Sequence, residues 1–174
     1  TTFVADRAIE WLERRDRAQP FFLHVGFAGP HSPIEPLPRF MDLYRERPET
    51  EAWNAPNPPA WLPQGRRGYR AMITQIDHHV GRIRDCLAAQ DALAETLFVY
   101  TADHGELAGD HGTCGKTRFF EGSVRVPLIV AGPGVRPGQR SRALVETLDL
   151  GKTICDLCGV PAHALDQGRS LASL

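Results

Sequence analysis

The sequence predicts an α/β domain: a mixed, mostly parallel sheet flanked by helices. Short runs at 21–27, 96–101 and 126–131 are apolar and rich in β-branched and aromatic residues, the composition of buried strands. Helical periodicity lies between them, most clearly at 68–89. No hairpin signal joins one run to the next, and strands alternating with helices point to a largely parallel sheet.

A chain of 174 residues suits a single domain with a substantial core. Its 20 basic and 21 acidic residues leave a net charge of −1, so bulk charge gives no call for nucleic acid or an anionic membrane. The apolar runs are far too short to span a bilayer. The expected partner is therefore a small molecule, with no nucleic acid and no membrane. Compartment and oligomeric state have no signal in the sequence.

Residues 3–17 read as a helix with Val4, Ala8, Trp11 and Leu12 on one face, closed by Gln19-Pro20. The run 21–27, interrupted only by His24, fits a strand buried on both faces. It leads into Pro30-His31-Ser32-Pro33, which holds His31 in a stiff loop at the carboxyl end of a strand. Residues 36–65 are irregular, with one helical turn expected at 38–44. The prolines at 48, 56, 58, 59 and 63 exclude a long helix there. Trp53 and Trp61 argue for an ordered excursion over the site, forming part of a substrate wall.

The helix at 68–89 carries Tyr69, Met72, Ile73, Ile76, Val80, Ile83 and Leu87 at three- and four-residue spacing. Asp77-His78-His79 cannot converge on one metal, because consecutive helical residues point in different directions. A solvated or supporting role is expected for them. A short strand at 143–145 and a helix at 149–158 capped by Gly159 complete the chain. Of the four cysteines, Cys155 and Cys158 are expected as core residues of that last helix; no second pair at zinc spacing accompanies them.

The chemistry gathers after the strand at 96–101. Asp103-His104-Gly105 arrives where open α/β sheets bind their ligands, just beyond a strand's carboxyl end. Alone, these three residues would serve as a turn. A second Asp110-His111-Gly112 and then Lys116 follow in a stretch nearly free of apolar residues, which is more than a turn requires. An acid and an imidazole there can offer oxygen and nitrogen to one metal ion, or an acceptor and a proton shuttle to one substrate. Lys116 adds a compact charge suited to an anion. Gly115-Lys116-Thr117 is no phosphate-binding P-loop, because Asp110 stands where that motif needs Gly.

In order, Pro20-Phe21-Phe22-Leu23, Pro30-His31-Ser32-Pro33, Ile76-Asp77, Val80-Gly81, Thr101-Ala102-Asp103-His104-Gly105-Glu106, Gly109-Asp110-His111-Gly112, Lys116, Val126-Pro127-Leu128-Ile129, Gly132-Pro133-Gly134, Asp149-Leu150 and Gly168-Arg169-Ser170-Leu171 form a series. This series resembles the formylglycine-dependent sulfatases of the alkaline phosphatase superfamily, over almost the whole chain. The resemblance implies an alkaline-phosphatase/sulfatase-like fold and hydrolysis of a sulfate ester. It implies a divalent cation, calcium first with manganese or zinc as alternatives, held by Asp103 and His104. It implies Lys116 on the sulfate oxygens and His31 on the leaving-group oxygen, with His111 as a further substrate-binding candidate.

Family members also carry an acidic pair and a Cys-x-Pro-x-Arg segment whose cysteine becomes formylglycine, and neither occurs in this sequence. Cys114 and Arg118 imitate the latter, but Lys116 stands in the place of proline. Residues 1–174 are thus expected to be one partial sulfatase-like domain, with the nucleophile in an N-terminal segment and a C-terminal subdomain both outside it. A phosphonate monoester or phosphodiester hydrolase, or a non-catalytic binding module, is the alternative.

Overall fold

The computed structural model describes Thr1–Leu174. Helix α1, Thr2–Arg14, lies against the long helix α3, Leu62–Ala88, and their contact is the centre of the core. Ala8 and Leu12 of α1 meet Ile83 and Leu87 of α3, and Phe21, Leu23, Val25 and Phe27 pack on the same cluster. α1 stops three residues before the expected end. The Asp16 carboxylate takes the Ala18 N–H at 2.9 Å, a local turn that competes with further helix. α3 starts six residues before the expected position, with Pro63 in its first turn, where no amide hydrogen is needed. Between them the short helix α2, Pro38–Met41, runs into the tighter turn Asp42–Tyr44, as expected for 38–44. No helix is long and apolar enough to cross a membrane.

The chain is α/β as expected, and the strand pair it contains is antiparallel. Strand β1, Phe98–Thr101, pairs antiparallel with β2, Leu128–Ala131, matching Phe98 to Ala131 and Thr101 to Leu128. A parallel return needs a crossover, usually a full helix, and the connection holds no helix longer than the four-residue α4, Glu121–Val124. Residues 21–27 form no ladder and are not buried on both faces. Phe21, Leu23, Val25 and Phe27 are half-buried, while Phe22, His24 and Gly26 face outward. A period of two replaces the expected continuous burial, because only the α1–α3 side offers apolar surface.

Helix α5, Asp149–Leu157, ends as the sequence indicates. Gly159 at φ 66° lets its N–H reach the Asp156 carbonyl and Val160 N–H reach Cys155. The inward positions of α5 are Asp149 and Thr153, so the expected core cysteines are a misreading: Cys155 is half-buried, Cys158 exposed, and all four thiols are free. Asp149 accepts the Arg169 and Glu146 N–H groups, which hold its carboxyl below the usual range. Thr153 Oγ1 accepts Leu171 N–H at 2.9 Å, so residues 168–171 strap across α5. The strand expected at 143–145 is absent, and Leu144 there is 89% exposed.

His79 also departs from expectation: it is 1% exposed, sealed between α1 and α3. Arg82 donates to Nδ1 at 3.1 Å, so the neutral ring carries its hydrogen on Nε2 and donates to Thr2 Oγ1 at 3.1 Å. Burial lowers its pKa, the Arg82 guanidinium and His78 add to this, and Asp6 opposes it. The unfolded chain therefore binds a proton more readily than the folded one. Stability should be full above about pH 6.5, the unfolded value, and fall progressively below it. Urea midpoints at pH 8 and pH 5.5 should differ in that sense, and His79→Gln should shrink the difference. A His79→Gln protein with an unchanged pH difference would assign the effect elsewhere.

Candidate active site

β1 delivers Asp103 and His104 at its carboxyl end. The Asp103 side chain is 85% exposed and that of His104 35%. His104 N–H donates to Asp103 Oδ1 at 3.0 Å, which turns the carboxylate back along the chain. His104 Nδ1 lies 2.9 Å from the Gly105 carbonyl, and a carbonyl only accepts, so Nδ1 carries the hydrogen. Nε2 then points a lone pair outward, 3.4 Å from Asp103 Oδ2. The two together present one nitrogen and one oxygen to a common partner. A carbonyl bond on the far nitrogen is the usual way of fixing an imidazole for a metal.

Gly105 fixes this turn. Its N–H donates to the Ser123 carbonyl at 2.7 Å, and a Cβ on it would stand 2.1 Å from the Gly122 oxygen. Only glycine permits that approach of the turn to α4.

From there the chain makes a closed loop back to Lys116. Glu106 Oε1 accepts the N–H groups of Ala108 at 2.9 Å and Gly115 at 2.5 Å, and Leu107 N–H reaches the Gly115 carbonyl at 2.9 Å. Leu107, 1% exposed, plugs the neck. Lys116 therefore emerges at the neck, one residue after Gly115, which Glu106 holds. It takes part in none of the ion pairs of the structure, so its ammonium is available to an external anion. Cys114 is a poor nucleophile: desolvation of its thiol, with the Glu106 charge second, pushes its pKa up, although the residue as a whole is exposed.

His111 crowns the loop with its ring between two aromatics. Phe120 stacks on it with 3.7 Å between centroids and 10° between planes, and Trp53 meets it edge-on at 4.8 Å. Trp53 is also tied through its backbone, donating to Asp110 Oδ1 at 2.9 Å and accepting His111 N–H at 2.8 Å. The irregular excursion thus reaches the loop, and its indole remains 67% exposed. His31 is exposed, and its Nδ1 donates to the Ser32 carbonyl at 2.7 Å, leaving Nε2 open.

His31, Asp103 and His104 line one open cleft of about 2140 Å³, together with Tyr69 and Tyr100. Lys116 and His111 stand outside its lining, on the neighbouring loop. No third His, Cys, Asp or Glu joins Asp103 and His104 to make a metal cluster. Of the two residues that organise the loop, Arg66 carries no signal in the sequence, and Glu106 is picked out only as the end of the Thr101–Glu106 stretch, without a role. A glutamate beside a motif and an arginine on a helix read as solvated charges until their partners are seen.

The sulfatase family model matches residues 1–160. The arylsulfatase of Clostridium perfringens is 30% identical over 198 residues, an alignment covering 100% of this chain and 41% of that protein. The choline-sulfatase of Rhizobium meliloti is 32% identical, over 91% of this chain and 36% of its own length. The chain therefore spans about two-fifths of the curated relatives it matches. Among solved structures, the phosphonate monoester hydrolase of Agrobacterium radiobacter superposes with a TM-score of 0.84 at 27% identity, over 97% of this chain and 40% of that one. The match along nearly the whole chain makes it a member of the sulfatase family.

Proposed function

We propose that these residues supply the cation- and anion-binding part of a sulfate-ester hydrolase whose nucleophile, a formylglycine, comes from a segment outside residues 1–174. The observation that supports this best is the Asp103 Oδ2 to His104 Nε2 pair, 3.4 Å apart with Nδ1 tied to a carbonyl. One oxygen and one imidazole fit a share of a divalent site, for calcium, manganese or zinc. Six or more ligands suit calcium, so the shell is completed by donors from elsewhere. A cation bound there supplies Lewis-acid polarisation of a sulfuryl oxygen.

The chain's own residues divide the remaining work. Lys116 neutralises charge that grows on the sulfuryl oxygens during transfer. His31, with Nδ1 held by Ser32, presents Nε2 to the leaving-group oxygen, and in its protonated form hands it a proton. His111 and Trp53 form a wall for the substrate. The partner is thus a small-molecule sulfate ester.

The superposition on a phosphonate monoester hydrolase favours one rival, because both substrates are tetrahedral anions. The test compares 4-nitrophenyl sulfate with 4-nitrophenyl phenylphosphonate in an enzyme that joins these residues to the nucleophile segment. The sulfate should have the higher kcat/KM, and the isolated chain should turn over neither. A clear preference for the phosphonate would move the assignment to the rival. Turnover by the isolated chain that is lost on Cys114→Ala would make that cysteine the nucleophile.

A further inference from the structure

Arg66 of α3 enters the loop between the metal-binding pair and Lys116 from outside. Its side chain is 15% exposed and makes a fork. One terminal nitrogen, Nη1, donates to the Ala108 carbonyl at 2.8 Å and lies 3.2 Å from Asp110 Oδ1. The other, Nη2, donates to Thr50 Oγ1 at 3.2 Å, and Nε stands 3.5 Å from Glu49 Oε1. Glu49, whose side chain is 7% exposed, is shared with Arg70 at 3.0 Å. Asp110 Oδ1 in turn accepts Trp53 N–H. The two acceptors of Nη1 lie beside the strained part of the loop: Ala108 has φ 47° and His111 φ 57°, left-handed values that a side-chain-bearing residue adopts only under restraint.

We propose that Arg66 is a positioning residue for the anion site. It pulls on the Ala108 carbonyl and the Asp110 carboxylate, and this holds the loop in its left-handed form. His111 is thereby set between Trp53 and Phe120, and Lys116 returns at the neck that Glu106 closes. Arg70 shares Glu49 and donates to Thr50 Oγ1, but touches neither Ala108 nor Asp110. It is therefore an internal control. The functional half of this inference rests on the reading of Lys116 as the anion-binding group; the positioning half does not.

The test uses the 174-residue chain. A ring stacked at 3.7 Å shifts its neighbour's proton resonances, so the His111 ring protons, assigned with His111→Gln, report the loop conformation by NMR. Inorganic sulfate is titrated in the same samples, watching the amides around Lys116. Arg66→Ala should move the His111 ring protons toward unstacked values and weaken sulfate binding by roughly tenfold. Arg70→Ala should leave both in place. Arg66→Lys should restore little, because a single ammonium cannot serve Ala108, Asp110 and Thr50 together. Should Arg66→Ala fail to fold, Asp110→Asn keeps the shape and removes the charge, and it should move the same resonances part of the way. His111 resonances unmoved by Arg66→Ala, or moved equally by Arg70→Ala, would overturn the proposal. A wild-type chain without a sulfate response at Lys116 would instead sink the anion-site reading, while the His111 resonances still decide the positioning role.

Discussion

Lys116→Ala is expected to lower turnover of the full enzyme roughly a hundredfold or more while leaving its melting curve nearly unchanged. The side chain takes part in none of the ion pairs, so the fold loses no pairing when it is removed. A solvated loop lysine typically changes stability by less than about 0.5 kcal/mol on removal, and the loop itself is held by Glu106 and Leu107 backbone and side-chain bonds rather than by Lys116. On the proposed role, what disappears is charge stabilisation that grows as the sulfuryl group is transferred, and such a loss lowers kcat and kcat/KM together. Lys116→Arg should rescue poorly, since a planar fork does not replace a point charge in a tight anion site. Near-normal turnover in Lys116→Ala would remove the residue from the mechanism.

Asp103→Ala should cost more, roughly a thousandfold in turnover, because on the proposed role it removes the carboxylate of the Asp103–His104 pair. Its side chain is 85% exposed and its bonds are to its own neighbour His104, so folding should be untouched. Dialysis of the wild-type enzyme against a chelator should give a similar loss, restored by adding back the cation. In the isolated chain, with two ligands at most from this pair, calcium, manganese and zinc should bind weakly. A tight calorimetric site in the isolated chain that survives Asp103→Ala would place the cation on other residues.

Much of the fold was legible because helical periodicity and apolar runs report packing directly. The α3 pattern from Tyr69 to Leu87 named the helix, and the run ending at Thr101 named β1 and the place where it delivers Asp103. Strand partners were not legible. Residues 21–27 look the same in sequence whether one face or two are covered, and only packing against Leu12 and Ile83 decides. The direction of β2 depends on what lies between Ala102 and Pro127, where little periodicity exists to read. His79 was misplaced because a histidine beside a charged neighbour reads as surface, whereas Thr2 and Arg82 satisfy both its nitrogens in the interior. At the site, the sequence singled out His31, Asp103, His104, His111 and Lys116. The orientation of His104 and the Arg66 fork depend on contacts such as that from Arg66 to Asp110, 44 residues apart, and no spacing rule reaches that far.

Pulsed electron paramagnetic resonance of the chain with millimolar manganese tests the shared cation site most directly, because nitrogen coupling identifies an imidazole bound to the metal. The geometry of His104, with Nδ1 on the Gly105 carbonyl and Nε2 beside Asp103, predicts coupling to one imidazole nitrogen. That coupling should vanish in His104→Gln, and persist in His31→Gln and His111→Gln. No nitrogen coupling in the wild-type chain, or coupling that survives His104→Gln, would contradict a cation held by Asp103 and His104.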